Sequence, residues 1–394
     1  MLAMTSSLVT VVVMIVALEI YYRIRIRSAP VDPYALSFYS TQGQKISSLN
    51  GPLRLSMNPF TIYLNSPSQR TNAFVINSHA LRNEEGVEND PRPKIIVLGG
   101  SSAFGLGLAS NEETIPYLLQ QSMPSHCVLN AGVVGFLSTQ ELTYLVTELI
   151  DYRPAAVVAY NGWNDLFVPL LEPARQPEKL GFSNSFYDMQ DRLAQQFQNE
   201  SSVSSCFAEF ARTVSTKSFA ITRLLTAFHN TPPLSSRCPG AESHDLSEAR
   251  KLRRRSMIGP IVDLYVSNMV KMSKISRAYG AVFIVVLQPE IGQKAPTEFE
   301  TKVIHAFDKF CYSQDFPELY REFIATAKQR LSLAGIAWID INESKSFTES
   351  TETLFIDPVH TNRTANEKVV RLIQPELKLM LAVASSQSPQ NPGR

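Results

Sequence analysis

Cysteine is scarce and scattered. The 394-residue chain has four, Cys127, Cys206, Cys238 and Cys311, with no C-x-x-C pair among them. That spacing argues against a zinc site and sets no disulfide framework, so no metal is expected. Cys206 and Cys238 could pair if the chain is exported; buried free thiols are the blander alternative. An excess of one charge is also missing, because 37 Lys+Arg against 36 Asp+Glu leave a net charge of +1. Nothing global points to nucleic acid or to an acidic partner, and no nucleic-acid partner is expected. Glycine numbers only 17, without a repeat, and the hydrophobic content is 44%. Collagen-like and bulk-disordered classes are thereby excluded, and the chain is long enough for one large α/β domain with insertions.

Long apolar runs are absent with one exception. Met1 to Leu18 is almost wholly apolar or hydroxylated, centred on Leu8-Val9-Thr10-Val11-Val12-Val13-Met14-Ile15-Val16-Ala17-Leu18. With its flanks it is just long enough to span a bilayer core. Tyr21 and Tyr22 come next, where an aromatic belt would sit, then Arg23, Arg25 and Arg27. The segment lacks the basic start and small-x-small exit of a cleaved signal. Residues 1–28 are therefore expected to be an uncleaved, single-pass anchor. The arginines by themselves favour a cytoplasmic side for the rest of the chain.

What is present is a β–α alternation. Residues 29–92 form a Pro-broken leader, with short strand-like pieces at Leu53-Arg54-Leu55 and Phe60-Thr61-Ile62-Tyr63-Leu64. Residues 93–384 carry five short apolar runs: Ile95–Leu98, Val128–Asn130, Ala156–Tyr160, Ala281–Leu287 and Ile336–Asp340. Helical periodicity lies between them, near Glu112–Pro116 and over Thr139–Tyr152, Ile261–Tyr279, Phe299–Leu333 (with interruptions) and Thr364–Ala384. Such units predict a parallel sheet covered by helices on both faces. A polar stretch over 170–256 interrupts the order and is expected to be a mainly helical insertion. It ends in Arg250-Lys251-Leu252-Arg253-Arg254-Arg255, read as a solvated helix face or a grip for an anionic lipid or polysaccharide. The tail, 385–394, is expected to be disordered.

Four clusters fall where strands should finish: Gly99-Gly100-Ser101, Asn130-Ala131-Gly132-Val133-Val134-Gly135, Asn161-Gly162-Trp163-Asn164-Asp165 and Asp357-Pro358-Val359-His360. In a parallel sheet these ends share one edge, so residues far apart in sequence can meet there. Ester cleavage by a serine needs a base, an orienting acceptor for that base, and donors for the oxyanion. Ser101 can supply the nucleophile, His360 the base and Asp357, three positions earlier, the orienter. The backbone N–H groups of Ser101 and Gly135 and the side-chain amide of Asn164 can supply the oxyanion hole. Other readings fit single residues. Ser101 and Ser102 could cap a helix, Ser102 could replace Ser101 as nucleophile, and Gly99 to Gly107 could be a phosphate turn. That turn lacks the Lys-Ser/Thr of a P-loop and the third glycine of a dinucleotide fingerprint.

The four clusters together resemble the SGNH (GDSL-type) hydrolase family, block for block and in order. The leader segment Asn77-Ser78-His79-Ala80-Leu81-Arg82 and the expected anchor are similar to bacterial membrane-tethered members. The resemblance implies a three-layer α/β/α sandwich of flavodoxin type, no cofactor, and a serine esterase acting on carbohydrate O-acyl or lipid esters. It also places the catalytic domain on the extracytoplasmic, periplasmic side, against the arginine count. Acyl transfer to a polysaccharide, or a non-catalytic scaffold on the same fold, are the alternatives. Gly100 departs from the family pattern, which has Asp there; substrate range or rigidity of the turn is what the departure puts in question.

Overall fold

The chain order begins with two small antiparallel pairs ahead of the main sheet. Strand β1 (Leu55–Asn58) pairs with β2 (Ile62–Asn65), and β3 (Gln69–Arg70) with β4 (Val75–Ile76). The structure is a computed structural model that describes residues 53, 55–171, 248–308 and 314–387. All of them belong to one compact unit. The expected anchor, most of the insertion, and Cys206, Cys238 and Cys311 lie outside the described residues. Among the described residues no helix is long and apolar enough to cross a membrane. Cys127 is a buried free thiol.

The five apolar runs become β5 (Lys94–Gly99), β6 (Cys127–Gly132), β7 (Ala156–Asn161), β8 (Val282–Leu287) and β9 (Ala337–Asp340). They form one parallel sheet in the order β6-β5-β7-β8-β9. This is the flavodoxin-like winding, with its switch point between β5 and its two neighbours. Ile95 to Leu98 and Ala156 to Tyr160 are wholly buried, which is why they read as continuous apolar runs instead of alternating ones.

Helices cover both faces. A one-turn helix α1 (Ser101–Phe104) comes directly after β5. Helix α2 (Ile115–Ser122) is capped by Thr114, whose hydroxyl accepts from the Tyr117 N–H. Helices α3 (Ser138–Thr147), α4 (Trp163–Leu171), α5 (Glu248–Ala278) and α7 (Phe316–Leu333) pack together on one face, with α6 (Glu298–Asp308) preceding α7 in the chain. On the opposite face α9 (Arg363–Gln387), which comes after the short α8 (Lys345–Thr348), packs on α2 and β8. Helix α7 buries Phe316, Leu319, Tyr320, Phe323, Ile324, Ala327 and Leu331, one stripe at helical spacing. The expected α/β/α sandwich is what forms.

Element limits shift in three places. The helix expected over Thr139–Tyr152 ends at Thr147, and a 3-10 turn, Leu149–Tyr152, completes the approach to a left-handed Arg153 (φ 49°). The helix expected from Ile261 begins at Glu248 and takes in the basic run. Lys251, Leu252, Arg253 and Arg255 of that run are exposed, as a solvated face would be, but two of its arginines meet acids. Arg255 pairs with Glu318 and, at 3.1 Å, with Glu322, while buried Arg254 lies 3.5 Å from Asp315. Helix α9 continues through Ser385, Ser386 and Gln387, the start of the stretch expected to be disordered. There the Ser385 hydroxyl bonds back to the Leu381 carbonyl at 2.9 Å, which holds the last turn.

Candidate active site

The carboxyl ends of β5, β6 and β7 bring three of the four clusters to one edge, and the loop before α9 brings the fourth. Ser101 opens α1 directly after Gly100. Its hydroxyl lies 2.7 Å from His360 Nε2, across 259 residues of sequence. The other ring nitrogen, Nδ1, pairs with Asp357 Oδ2. Ser101, Asp357 and His360 are all buried, at 9%, 8% and 9% exposure. Ser102 turns elsewhere. Its hydroxyl lies 3.4 Å from the Val359 carbonyl and takes a bond from Gln288 Nε2 at 3.3 Å. Ser101, and not Ser102, therefore meets the imidazole.

The acid–histidine loop is held from several sides. Asp357 Oδ1 accepts the N–H groups of Val359 (2.9 Å) and His360 (2.7 Å). Burial pushes the Asp357 carboxyl up, but His360 and these bonds outweigh it and hold the group below the ordinary aspartate value. Ile356 N–H bonds to the His360 carbonyl at 2.9 Å, and Ile291 N–H to the Pro358 carbonyl at 3.0 Å. Just upstream, Glu300 Oε1 accepts from Leu354 and Phe355 N–H at 2.8 and 3.1 Å. Its other oxygen is 2.5 Å from the buried Lys294 ammonium. Neither Lys294 nor Glu300 carries a motif signal; only the fold shows what they hold.

Asn164 lies next to residues that adjoin the other two oxyanion candidates, Ser101 and Gly135. Asn164 Nδ2 donates to the Phe136 carbonyl at 2.9 Å. A Cβ placed on Gly100 would stand 2.5 Å from the same nitrogen. Asn164 thus touches the neighbour of Ser101 on one side and the neighbour of Gly135 on the other. Gly135 has φ 82°, a left-handed conformation that suits glycine. The Tyr63 hydroxyl, from the leader hairpin, lies 2.9 Å from where a Gly135 Cβ would be. Burial pushes the Tyr63 phenol up to about 12, against a bond with Gln140. Sequence reasoning misses Tyr63, because an isolated aromatic in a Pro-broken leader has no distinguishing pattern.

Two N–H groups of the turn that could cradle a phosphate are already engaged. The Gly105 and Leu106 N–H groups both bond to the Ser101 carbonyl at 2.9 Å, so neither is offered to an anion. Among the described residues no three His, Cys, Asp or Glu side chains stand together as a metal site.

Next to Asn164 in the chain, Asp165 belongs to a buried polar network. Asp165 accepts the N–H and the hydroxyl of Ser138, at 3.1 and 2.5 Å. Glu141 accepts from Asn161 Nδ2 at 2.5 Å, and the Tyr265 hydroxyl donates to Asn161 Oδ1 at 2.8 Å. Burial raises Asp165 to about 6, against the two Ser138 bonds. Burial, then the Asp165 charge, raises Glu141 well above its ordinary value.

No family model matches the chain, and no curated protein matches it. Among solved structures it is similar to a lipase/acylhydrolase from Enterococcus faecalis, at 13% identity and a TM-score of 0.38, covering 73% of this chain and 96% of that one. It is also similar to an acetyl xylan esterase, at 12% identity and a TM-score of 0.39, covering 72% and 99%. A third is a catalytic mutant of an acetylxylan esterase from Geobacillus stearothermophilus, at 12% identity and a TM-score of 0.40, covering 72% and 94%.

Proposed function

We propose that this chain is a serine esterase of the SGNH type, cleaving acyl esters of a carbohydrate or lipid alcohol through an acyl-serine intermediate. The observation that carries the reading is the relay Ser101 Oγ to His360 Nε2 at 2.7 Å, with Nδ1 of the same ring on Asp357. A hydroxyl so placed can pass its proton to the imidazole as Oγ bonds to the acyl carbon. Asp357 holds the tautomer with the proton on Nδ1 and favours the imidazolium once it forms. The tetrahedral oxyanion takes bonds from the N–H groups of Ser101 and Gly135 and from Asn164 Nδ2. Donors fixed in advance at such a point are worth roughly 10²–10³-fold each in rate. His360 then returns the proton to the leaving alcohol, the ester C–O bond breaks, and water attacks the acyl-serine by the same relay. The apolar segment Leu8–Leu18 would tether this chemistry to a membrane.

The test is the full chain against short p-nitrophenyl esters and a fluorophosphonate label, beside Ser101→Ala and Ser102→Ala. Wild type should turn over and label at one serine. Ser101→Ala should lose both, with kcat down by roughly 10⁴-fold or more. A Ser101→Ala protein that keeps its activity, or a wild type inert to both reagents, sinks the reading.

A further inference from the structure

We infer that Arg82, a residue of the leader, is a positioning residue for the Ser101 turn; the inference rests on the esterase reading above. Arg82 is 3% exposed. Its guanidinium is directed at main-chain carbonyls and one side-chain amide. Nη1 donates to the carbonyls of Phe104 (3.0 Å) and Gly105 (2.7 Å). Nη2 donates to the carbonyls of Ala73 (2.8 Å) and Ser110 (3.2 Å), and Nε to Asn111 Oδ1 (2.9 Å). These contacts use the whole donor set of an arginine. The group also lies 4.7 Å from the centre of the Phe104 ring and 5.8 Å from that of Phe74.

The grip falls on the residues that close the nucleophile's turn. Helix α1 has only four residues, Ser101 to Phe104, and left-handed Gly105 ends it. A single turn has too few internal bonds to hold itself. Arg82 fixes the carbonyls of residues 104 and 105, at the far end from Ser101. Asn130 Nδ2 reaches the Phe104 carbonyl as well, at 3.3 Å, and the Arg82 N–H bonds to the Asn130 carbonyl at 3.1 Å. Arg82 is thus tied to β6 by its main chain and to the turn by its guanidinium.

Placing a cation there is costly. Burial pulls the guanidinium down to about 9, and Glu113 and Glu112 offset only part of that. An apolar side chain could fill the space but could not tie four backbone carbonyls and one side-chain amide from three separate stretches of chain. Lysine could not either, since its ammonium is a point donor on a flexible stem. What the fork secures is the position of Ser101 Oγ against His360. A displacement of about 1 Å between reacting groups costs on the order of 10²-fold in rate.

The experiment compares full-length wild type, Arg82→Lys, Arg82→Met and Asn83→Ala. Asn83 is the control. It ties the same leader to β6, through the Val128 carbonyl (3.1 Å) and the Asn130 N–H (2.8 Å), without touching the turn. Each protein is assayed for thermal unfolding, kcat and KM on a p-nitrophenyl ester, and the rate of fluorophosphonate labelling. Both Arg82 variants should lose roughly 10- to 100-fold in kcat, with labelling falling in parallel and KM within about threefold. Asn83→Ala should lose stability and keep kcat within about twofold. A folded Arg82→Lys or Arg82→Met with undiminished kcat and labelling overturns the assignment, as does an Asn83→Ala that loses as much rate. If Arg82→Met does not fold, Arg82→Lys decides. A wild type inert to both reagents instead overturns the esterase reading, and this inference with it.

Discussion

The side-chain amide of Asn164 occupies the space that a Cβ on Gly100 would need. The nitrogen stands 2.5 Å from that point and is tied to the Phe136 carbonyl at 2.9 Å. The Phe136 oxygen itself is 3.3 Å from the same point. Gly100 is therefore fitted to Asn164. The amide lies beside the turn that carries Ser101.

A larger side chain at position 100 should accordingly harm the protein. Gly100→Asp has to push Asn164 off the Phe136 carbonyl, and Gly100→Ala does the same with less bulk. For Gly100→Asp we expect kcat on a p-nitrophenyl ester to fall by about 10²-fold, the scale of one lost oxyanion donor. Gly100→Ala should fall between it and wild type. An Asp variant that matches or exceeds wild type would show that Asn164 has no fixed place over the turn.

Asp357→Asn separates orientation from packing. The Asn side-chain oxygen can still accept the Val359 and His360 N–H groups, which Asp357 Oδ1 holds at 2.9 and 2.7 Å. Its NH₂ would then face His360 Nδ1 and demand the wrong tautomer. Circular dichroism should stay native while kcat drops by about 10³–10⁴-fold. A drop of less than tenfold would mean that Asp357 does not orient the imidazole.

The two buried acids Asp165 and Glu141 set a pH dependence of stability. Asp165 is raised from 3.8 to about 6 and Glu141 is raised well above its ordinary value, so the folded state binds protons that the unfolded chain releases. Their contribution is fully present below about pH 4 and is lost as pH rises through 6 and beyond. For Asp165 alone the span is on the order of 3 kcal/mol. Asp357 runs the other way, since its lowered value costs stability only as pH falls below the ordinary aspartate range. Melting temperature should thus decline by several degrees between pH 5 and pH 8. Glu141→Gln should flatten that decline and melt above wild type at pH 8. A Glu141→Gln curve parallel to wild type would exclude this origin.

Much of the fold is legible in the chain because its signals are local. Ile95–Leu98 and Ala281–Leu287 are short apolar runs bounded by polar or glycine residues, and each forms a strand inside the sheet. The end of the Thr139–Tyr152 helix is not legible in the same way. Its apolar spacing continues past Thr147, whereas Arg153 ahead of Pro154 needs a tighter turn to enter β7. Composition places the 248–256 stretch in the insertion. In the fold its arginines meet Glu318, Glu322 and Asp315, acids some 60 residues downstream that pair with Arg255 and Arg254.

The site divides in the same way. Residue type and order in the four strand-end clusters suffice to nominate Ser101, Gly135, Asn164, Asp357 and His360. A parallel sheet must bring its carboxyl ends to one edge, whatever the loops between them. The sequence nominates Ser101 by its place in the cluster, but not the geometry that separates it from Ser102. Adjacent residues on a helical turn point about 100° apart, and only the packed turn directs one to His360 and the other to Val359. Nor can the sequence say that Arg82 and Tyr63 of the leader reach the Ser101 turn and Gly135. Those contacts join distant segments by shape and by single hydrogen bonds, which leave no periodic trace. The chemistry proposed for this chain is written in its residue types, and the tertiary structure decides which atoms face one another.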